Sequence, residues 1–367
     1  MTQKVYLGDI CDIKIGRTPP RRQPQWFNKS HGVRWVSIKD MGNAGKYISQ
    51  TSEFLTADAI KKFNIPVIPA GTLLMSFKLT VGRLGFTEYD MCSNEAIAQL
   101  PIKDPDIVDK NYLYYYLKNF NFGLLSSTSS IATAVNSKTV KNISVNLPPL
   151  DQQKKIADIL GSLDEKIKLN RHMNETFEQL GQALFRHYFV DNPESKSWKK
   201  RPLGEFFPVK TGKKDANFGT KDGKFPFFTC AQTISRAPSY SFDGSAILVA
   251  GNGDFNIKYY AGKFEAYQRT YVLIPHNEEL LGFLYFLMKK DLSLITGGSR
   301  GSVIKFITKG MIENYRVELP DDNDLAAFAP IFSELLALIS HSNEQIQTLA
   351  ALRDALLPKL ISGEIEI

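Results

Sequence analysis

A heptad stripe in the middle of the chain constrains the fold more than any other feature. Residues 150–190 read as one long helix whose apolar side chains recur every three and four residues, the spacing of a coiled-coil seam. Roughly forty residues at about 1.5 Å each would make a helix of about 60 Å. Such a helix cannot bury its stripe by itself, so the sequence predicts a second helix packed against it.

An internal repeat supplies the second helix. Leu147-Pro148 recurs as Leu319-Pro320, a shift of 172 residues (319 minus 147). The same shift carries the stripe onto residues 321–361, so both helices share one heptad register. The predicted seam comprises Ile156, Leu160, Leu163, Ile167, Phe177 and Leu184 in the first helix, and Leu335, Ile339, Ile346, Leu349, Leu356 and Leu360 in the second.

The start of each half repeats with a longer shift. Leu7-Gly8 matches Leu203-Gly204, a shift of 196 (203 minus 7), so the first globular segment carries 24 more residues than the second (196 minus 172). A period this long indicates a duplicated unit of globular domain plus helix, not a solenoid. The predicted fold class is α+β, with two mixed α/β domains separated by two long helices that form an antiparallel coiled coil with pseudo-twofold symmetry. The domain boundaries follow: 1–147, 148–192, 193–320 and 321–367.

Composition points to a cytoplasmic protein with a polyanionic partner. The net charge is +7 and the isoelectric point is near 9.0, a modest basic excess that favours nucleic acid only weakly. The three cysteines stand far apart in the sequence, which fits a reducing compartment. No apolar run approaches the roughly 20 residues of a membrane span, and the first residues carry no apolar signal core. We therefore expect a cytoplasmic location and no membrane contact.

The sequence carries no recognisable catalytic motif. It has neither a G-x-x-x-x-G-K-[ST] phosphate loop nor a G-x-G-x-x-G segment after a strand. Gly251-Asn252-Gly253 follows a strand-like run, but it reads as a hairpin turn because no third glycine or helix follows. The five histidines are scattered, and none has metal-ligand spacing. We therefore expect no catalytic residues and no metal site.

Basic and small polar residues in the loops of both globular segments are the candidate functional residues. Arginine pairs bidentately with guanine, asparagine pairs with adenine, and lysine pairs with phosphate. Any single one of them could equally be a solvated surface side chain, but the loops recur in both halves, at 126–133 and 296–305 for example. The candidate DNA-binding residues are Arg17, Arg21, Arg22, Lys78, Arg83, Lys138, Lys213, Lys214, Arg236, Asn252, Arg300 and Lys305.

Three segments carry a family resemblance. They are LPPLDQQKKIADILGSLDEKIKLN at 147–170, LFRHYF at 184–189 and LRDALLPKLISGEI at 352–365. Together with the paired domain starts, they resemble the specificity subunit of type I restriction-modification systems across essentially the whole chain. The second helix start, LPDDNDLAAFAPIF, departs from the family pattern because it lacks the Pro-Leu-x-x-Gln run.

The resemblance implies a non-catalytic subunit that determines DNA specificity. Each globular domain would read one half of a split site on double-stranded DNA, while the coiled coil sets their spacing. Modification subunits, two of them, would dock around the helices, bind S-adenosylmethionine and methylate adenine. Restriction subunits would complete the assembly and use ATP and Mg²⁺, so this chain itself would hold no cofactor.

Two other functional interpretations remain open from the sequence. The chain could be a methyltransferase or nuclease in its own right, or a coiled-coil adaptor whose domains bind sugar or protein. The DNA target sequence and its spacer length are not readable from the residues, because readout depends on which side chains face the groove and on DNA deformability.

Overall fold

The computed structural model describes residues 2–125, 136–253, 255–297 and 306–367. The chain divides into two compact units, and each contains part of both long helices. The first unit consists of Met1–Glu165 with Leu349–Ile367, and the second unit of Lys166–Thr348.

The first globular segment is an α/β assembly of short elements. Its strands are β1 (Gln3–Tyr6), β2 (Lys14–Ile15), β3 (Phe27–Asn28), β4 (Val33–Val36), β5 (Tyr47–Ile48), β6 (Glu53–Leu55), β7 (Leu73–Ser76), β8 (Leu84–Thr87), β9 (Met91–Ser93), β10 (Ile97–Leu100) and β11 (Ser144–Leu147). Its helices are α1 (Leu7–Ile10), α2 (Ile38–Asn43), α3 (Ala57–Lys62), α4 (Lys110–Asn119) and α5 (Ser137–Lys141). A five-stranded sheet has the order β2-β10-β7-β8-β5, and a four-stranded sheet has the order β3-β6-β4-β9.

The first long helix starts where strand β11 is stopped by two prolines. Helix α6 spans Leu150–Phe185, and a π-helical turn continues it over Arg186–Val190. Proline has no N–H to give a strand, yet it suits the first turn of a helix. The buried Gln153 amide joins this start to the domain, since it donates to the carbonyls of Ile107 and Pro148 at 3.0 and 2.8 Å.

The second globular segment repeats the pattern with longer strands. Its strands are β12 (Lys199–Pro202), β13 (Val209–Thr211), β14 (Phe225–Phe228), β15 (Ser235–Ala237), β16 (Phe242–Ala250), β17 (Ile257–Ala266), β18 (Thr270–Leu273) and β19 (Arg316–Leu319). Its helices are α7 (Leu281–Thr296) and α8 (Lys309–Glu313), and the long helix α9 (Asp322–Ser362) follows. A six-stranded sheet has the order β13-β18-β16-β17-β14-β15.

Strand pairing confirms the duplication. In the first unit Gln3 pairs with Leu147, and in the second Lys199 pairs with Leu319. These two pairs differ by the shifts that the sequence predicts: 196 (199 minus 3) and 172 (319 minus 147). The predicted fold class is confirmed: two mixed α/β domains with two long helices and an internal repeat.

The extra residues of the first half build a second sheet. Lys14 and Lys210 occupy equivalent edge strands, still 196 apart, but Leu73 and Ile247 occupy equivalent inner strands only 174 apart. Thus 22 of the 24 extra residues (196 minus 174) lie between β2 and β7. That interval contains β3, β4 and β6 of the four-stranded sheet, together with α2 and α3.

The two long helices pack antiparallel within each unit. In the first unit Ile156 and Leu160 of α6 share a core with Leu357 and Leu360 of α9. In the second unit α6 contacts α9 in the reverse order of residues: Asn170 bonds to Gln345 at 3.0 Å and Asn174 to Asn343 at 2.9 Å. Asn170 is buried, and a buried polar residue in an apolar seam specifies one register between helices.

The residues of the predicted seam differ in how deeply they are buried. Ile156, Leu160, Ile167, Leu335, Ile339 and Leu360 are buried, while Leu163, Phe177, Leu184, Ile346, Leu349 and Leu356 are half-buried. Near the end of α6 the most buried side chains are Phe185 and Phe189, one residue after the expected positions. The Phe185 ring packs against those of Phe283 and Phe332, with ring centres 5.3 and 5.8 Å away, in the core of the second unit.

Helix α9 alone among the described helices has the length and apolar composition that a membrane-crossing helix needs. Its apolar seam is occupied, however, because Leu325, Phe332, Leu335 and Ile339 pack in the core of the second unit. This is the behaviour of a core helix.

Candidate nucleic-acid interface

The loop that contains Arg17, Arg21 and Arg22 lies against the four-stranded sheet, and two of these arginines make contacts within the domain. The Arg21 guanidinium lies 4.3 and 4.5 Å from the ring centres of Phe27 and Trp35, and it is paired with Glu53 at 2.7 Å. Arg17 donates to the Phe63 carbonyl at 3.1 Å. Such contacts fix an arginine in place and leave fewer donors for a ligand.

The free cation of this loop is the neighbouring arginine. Arg22 is exposed and makes no hydrogen bond or ion pair with the described residues. Two further cations were not singled out from the sequence: Arg34 of β4, 4.4 Å from the Tyr89 ring centre, and Lys62 at the end of α3, 4.8 Å from that of Trp26. The signal that could have revealed them is the interleaving of basic and aromatic residues through 26–63.

The β7–β8 turn presents one anchored cation and one exposed cation. Arg83 donates from its guanidinium to the Ile38 carbonyl at 2.6 Å, which ties the turn to α2. Lys78 is exposed on the same turn, with its ammonium 5.5 Å from the Phe77 ring centre. Lys138 is likewise exposed, in the first turn of α5, whose N-terminus is capped by Asn136.

In the second unit the predicted residues also divide into anchored and exposed ones. Arg236 donates to the carbonyls of Gly223 and Lys224 at 3.0 and 2.9 Å, so it fastens β15 to the preceding loop. Lys214 lies 4.4 Å from the Phe218 ring centre, whereas Lys213 is exposed and has no ion pair within the described ranges.

The remaining candidates lie on the β16–β17 turn and beyond it. Asn252 is half-buried on this turn and bridges to Phe306. Arg300 and Lys305 lie outside the described residues, as do the loop segments 126–135 and 298–305. The structure thus places Arg17, Arg21 and Arg22 beside one sheet, and Lys78 with Arg83 on one turn.

Where the helices meet the first domain, the structure contains a partly buried ionic cluster that the seam pattern did not indicate. Asp164 of α6 accepts from Arg353 of α9 at 2.6 Å and from the Tyr115 hydroxyl at 2.7 Å. Burial alone would raise the pKa of Asp164, but the hydrogen bonds from Arg353 and Tyr115 outweigh it and lower the pKa. Burial lowers the pKa of the nearby Lys118.

The second unit lacks this cluster at the equivalent positions. The 172-residue shift relates Asp164 to Leu336, Tyr115 to Leu287 and Arg353 to Gly181. Leu336 and Leu287 are buried there, and the Phe286 ring lies against Gly181. At these equivalent positions the first half uses charged side chains and the second half uses uncharged ones. Within the described ranges, no group of His, Cys, Asp and Glu side chains could hold a metal ion.

Comparison with known proteins gives a consistent result. The sequence matches the family described as the type I restriction modification DNA specificity domain over residues 2–179 and again over residues 195–350. It is 44% identical over 172 residues to the type I restriction enzyme EcoDI specificity subunit of Escherichia coli, a stretch that spans 46% of this chain and only 38% of that subunit.

A more distant relative matches over nearly its whole length. The type I restriction enzyme MjaIX specificity subunit of Methanocaldococcus jannaschii is 24% identical over 406 residues, covering 98% of this chain and 93% of that protein. The crystal structure of the type I restriction-modification system S subunit from M. genitalium superposes with a TM-score of 0.59 at 17% identity, covering 98% of this chain and 96% of that one. That likeness shows a shared fold.

Proposed function

The chain belongs to the family of type I restriction-modification DNA specificity domains, and from that premise we propose that it reads a split site on duplex DNA. The observation that carries the proposal is the double match: the DNA specificity domain occurs twice, and each copy combines a globular segment with part of a long helix. Two copies in one chain suit a target with two half-sites.

The division of labour follows the predicted domain boundaries. Residues 1–147 and 193–320 each read one half-site, and residues 148–192 and 321–367 set the spacing and hold the modification subunits. Exposed Arg22, Lys78 and Lys213 support the first role, since solvent-exposed cations can neutralise phosphates. Arg21, Arg83 and Arg236 are anchored by contacts within the protein, and these contacts hold in place the segments to which the three arginines belong.

The chain acts as a non-catalytic subunit in the cytoplasm. Its partners are double-stranded DNA, two modification subunits and the restriction subunits of a type I system. The names of its relatives support this assignment, since they are specificity subunits of type I restriction enzymes. S-adenosylmethionine, ATP and Mg²⁺ would be bound by the partner subunits.

Domain exchange tests the proposal in the assembled complex. Residues 1–147 are replaced by the first domain of another family member, and methylated adenines are mapped across a genome in cells that express the modification subunits. We expect one half of the recognised sequence to change while the other half and the spacer persist. A change in both halves, or no methylation dependent on this chain, would contradict independent reading by two domains.

Binding measurements separate the proposal from the two other interpretations. Phosphate neutralisation makes affinity fall steeply with salt, so the complex should lose duplex binding as salt increases. An adaptor for protein or sugar would show no such slope. A methyltransferase or nuclease would bind S-adenosylmethionine or cut DNA as the purified chain alone, and we expect neither activity.

A further inference from the structure

One apolar side chain stands almost fully in solvent at the tip of the β7–β8 turn. Leu79 is 91% exposed, the largest exposed fraction among the large hydrophobic residues described. Its backbone has a φ of +62°, in the left-handed region that L-residues with a bulky side chain rarely adopt. A leucine in this position adds nothing to the core and strains the backbone.

The turn that carries Leu79 is held rigidly at its base. The Ser76 hydroxyl donates to the Thr80 carbonyl and accepts from the Arg83 N–H at 2.9 Å. The Gly82 N–H donates to the Ser76 carbonyl at 2.8 Å, and the Phe122 ring lies against Gly82. The tip is therefore projected by an ordered scaffold, which lowers the entropy lost when it binds a partner.

The second half of the chain shows that the turn does not need a leucine. Counted from the last residue of the incoming strand, Leu79 stands three residues after Ser76, and Gly253 stands three residues after Ala250. Gly253 adopts the same left-handed backbone, with a φ of +73°. Glycine is the residue that this conformation favours. The geometry of the turn therefore does not account for a leucine at position 79, and we look for the reason in what its side chain contacts.

The charges beside the tip identify the partner. Lys78 is exposed immediately before Leu79, and Arg83 closes the turn. Lys39, the second residue of the helix that Arg83 contacts, is exposed as well. An apolar tip flanked by cations suits DNA, because lysine and arginine engage phosphates while an aliphatic side chain enters the groove between them.

We propose that Leu79 is a DNA-reading residue that enters a groove of the target and packs its side chain against the bases of one half-site. This inference rests on the proposed function. Two contacts share this apolar chemistry: packing on a thymine 5-methyl group, and partial insertion between two stacked base pairs. Both place Leu79 on bases, and neither engages a phosphate.

The test uses the chain assembled with its modification subunits on its mapped target. Leu79→Ala and Leu79→Gly are compared with wild type by fluorescence anisotropy across a salt series. We expect each variant to weaken binding about tenfold, the size of a lost base contact, with an unchanged salt slope. Lys78→Ala should instead reduce the salt slope by about one. Ile107→Ala, at a 53% exposed residue away from the turn, is the matched control and should bind as wild type does.

Modified duplexes then identify the contact. If Leu79 packs on a methyl group, uracil in place of one thymine weakens wild type and leaves Leu79→Gly unaffected. If it inserts between base pairs, 2-aminopurine at one step brightens with wild type and not with Leu79→Gly. Weakened binding by the variants with no response from either duplex series would overturn the proposal.

Two further outcomes would also overturn it. Variants that bind within about twofold of wild type show that Leu79 does not touch the target. Variants that fail to assemble with modification subunits before DNA is added show that Leu79 docks on protein. Failure of the wild-type complex to bind any site specifically would overturn the proposed function itself, and the inference with it.

Discussion

Asp164 shows how one residue distinguishes the two halves of a duplicated chain. The side chains of Asp164 and Arg353 are only 14% and 16% exposed, so both have lost much of their hydration. Each charge compensates the other for that loss. Removing one member of a buried pair leaves an uncompensated charge, whereas replacing both by apolar groups is often tolerated. The equivalent positions in the second half are occupied by Leu336 and Gly181, neither of which carries a charge.

Arg353→Leu should therefore destabilise the first unit more than the double substitution does. We expect Arg353→Leu to lower the free energy of unfolding by about 3 kcal/mol, because Asp164 stays buried with only Tyr115 as donor. Asp164→Leu combined with Arg353→Leu should return to within about 1 kcal/mol of wild type. Urea unfolding followed by circular dichroism measures both.

An exposed ion pair provides the control for this measurement. Arg186 and Asp191 are joined at 3.1 Å but are 72% and 55% exposed, so Arg186→Leu should change stability by less than about 1 kcal/mol. Equal losses from Arg353→Leu and from the double variant would mean that the charge left behind is not what destabilises the single variant.

Asp40 should make stability depend on pH in a defined direction. Burial alone would raise its pKa, but hydroxyl and N–H donors from Ser37 and Ser52 outweigh it and lower the pKa below the ordinary value of 3.8. A lowered pKa in the folded state means that the unfolded chain takes up the proton more readily. The stabilisation is therefore fully present above about pH 5 and is lost as the pH falls through the folded pKa.

Asp40→Asn tests this dependence. The asparagine NH₂ group would replace a carboxylate oxygen that now accepts hydrogen bonds from Ser37 or Ser52, so donor would face donor. We therefore expect the variant to be about 1–3 kcal/mol less stable than wild type at pH 7. Because only wild type loses the contribution on acidification, the difference should shrink between pH 5 and pH 3. Urea unfolding at four pH values measures it, and a constant difference would show that the carboxylate charge is not involved.

At the scale of elements, two glycines of α6 separate packing from helix propensity. A Cβ added to Gly181 would lie 2.2 Å from the fully buried Phe286 ring, whereas one added to Gly161 would meet no atom within 4 Å. Gly161→Ala should stabilise the protein by up to about 1 kcal/mol, the ordinary gain in a helix. Gly181→Ala should destabilise it by about 1–2 kcal/mol, since overpacking exceeds that gain. Thermal and urea unfolding of both variants should give changes of opposite sign.

The long helices could be predicted from sequence because a heptad repeat leaves few alternatives. Their observed bounds, Leu150–Phe185 with its π turn and Asp322–Ser362, agree with the expected 150–190 and 321–361. The shift from Leu184 to Phe185 as the buried residue was not predictable. It depends on the packing of Phe185 against Phe283 and Phe332, which heptad periodicity does not specify.

Short elements were harder to predict because tertiary contacts define them. Strand β4 ends at Val36, and Ser37 then caps helix α2, which begins at Ile38. The capping box formed by Ser37 and Asp40 was visible in the sequence as a signal for that helix. By contrast, nothing in the sequence indicates that Arg83 and Arg236 are held by backbone carbonyls, so composition alone could not separate anchored from exposed cations.

At the scale of the whole molecule, the two halves are equivalent in topology and different in their surfaces. The 24-residue excess predicted that they differ, but only the structure locates most of it between β2 and β7, the interval that contains the loop with Arg17, Arg21 and Arg22 and three strands of the four-stranded sheet. Loops and added sheets vary more readily than the core strands they join. Under the proposed function, this difference would let the two domains present different surfaces to their half-sites.

If the paired helices set the distance between half-sites, lengthening both should lengthen the spacer. Seven residues inserted into α6 and seven at the facing position of α9 add about 10 Å while keeping the heptad seam in phase. At about 3.4 Å per base pair, the spacer should grow by about three base pairs, with both half-site sequences unchanged. Mapping of methylated adenines measures the spacer directly.

Insertion into α6 alone should abolish methylation, because it breaks the pairing of Asn170 with Gln345 and of Asn174 with Asn343. An unchanged spacer in the double insertion would show that the helices do not determine the distance.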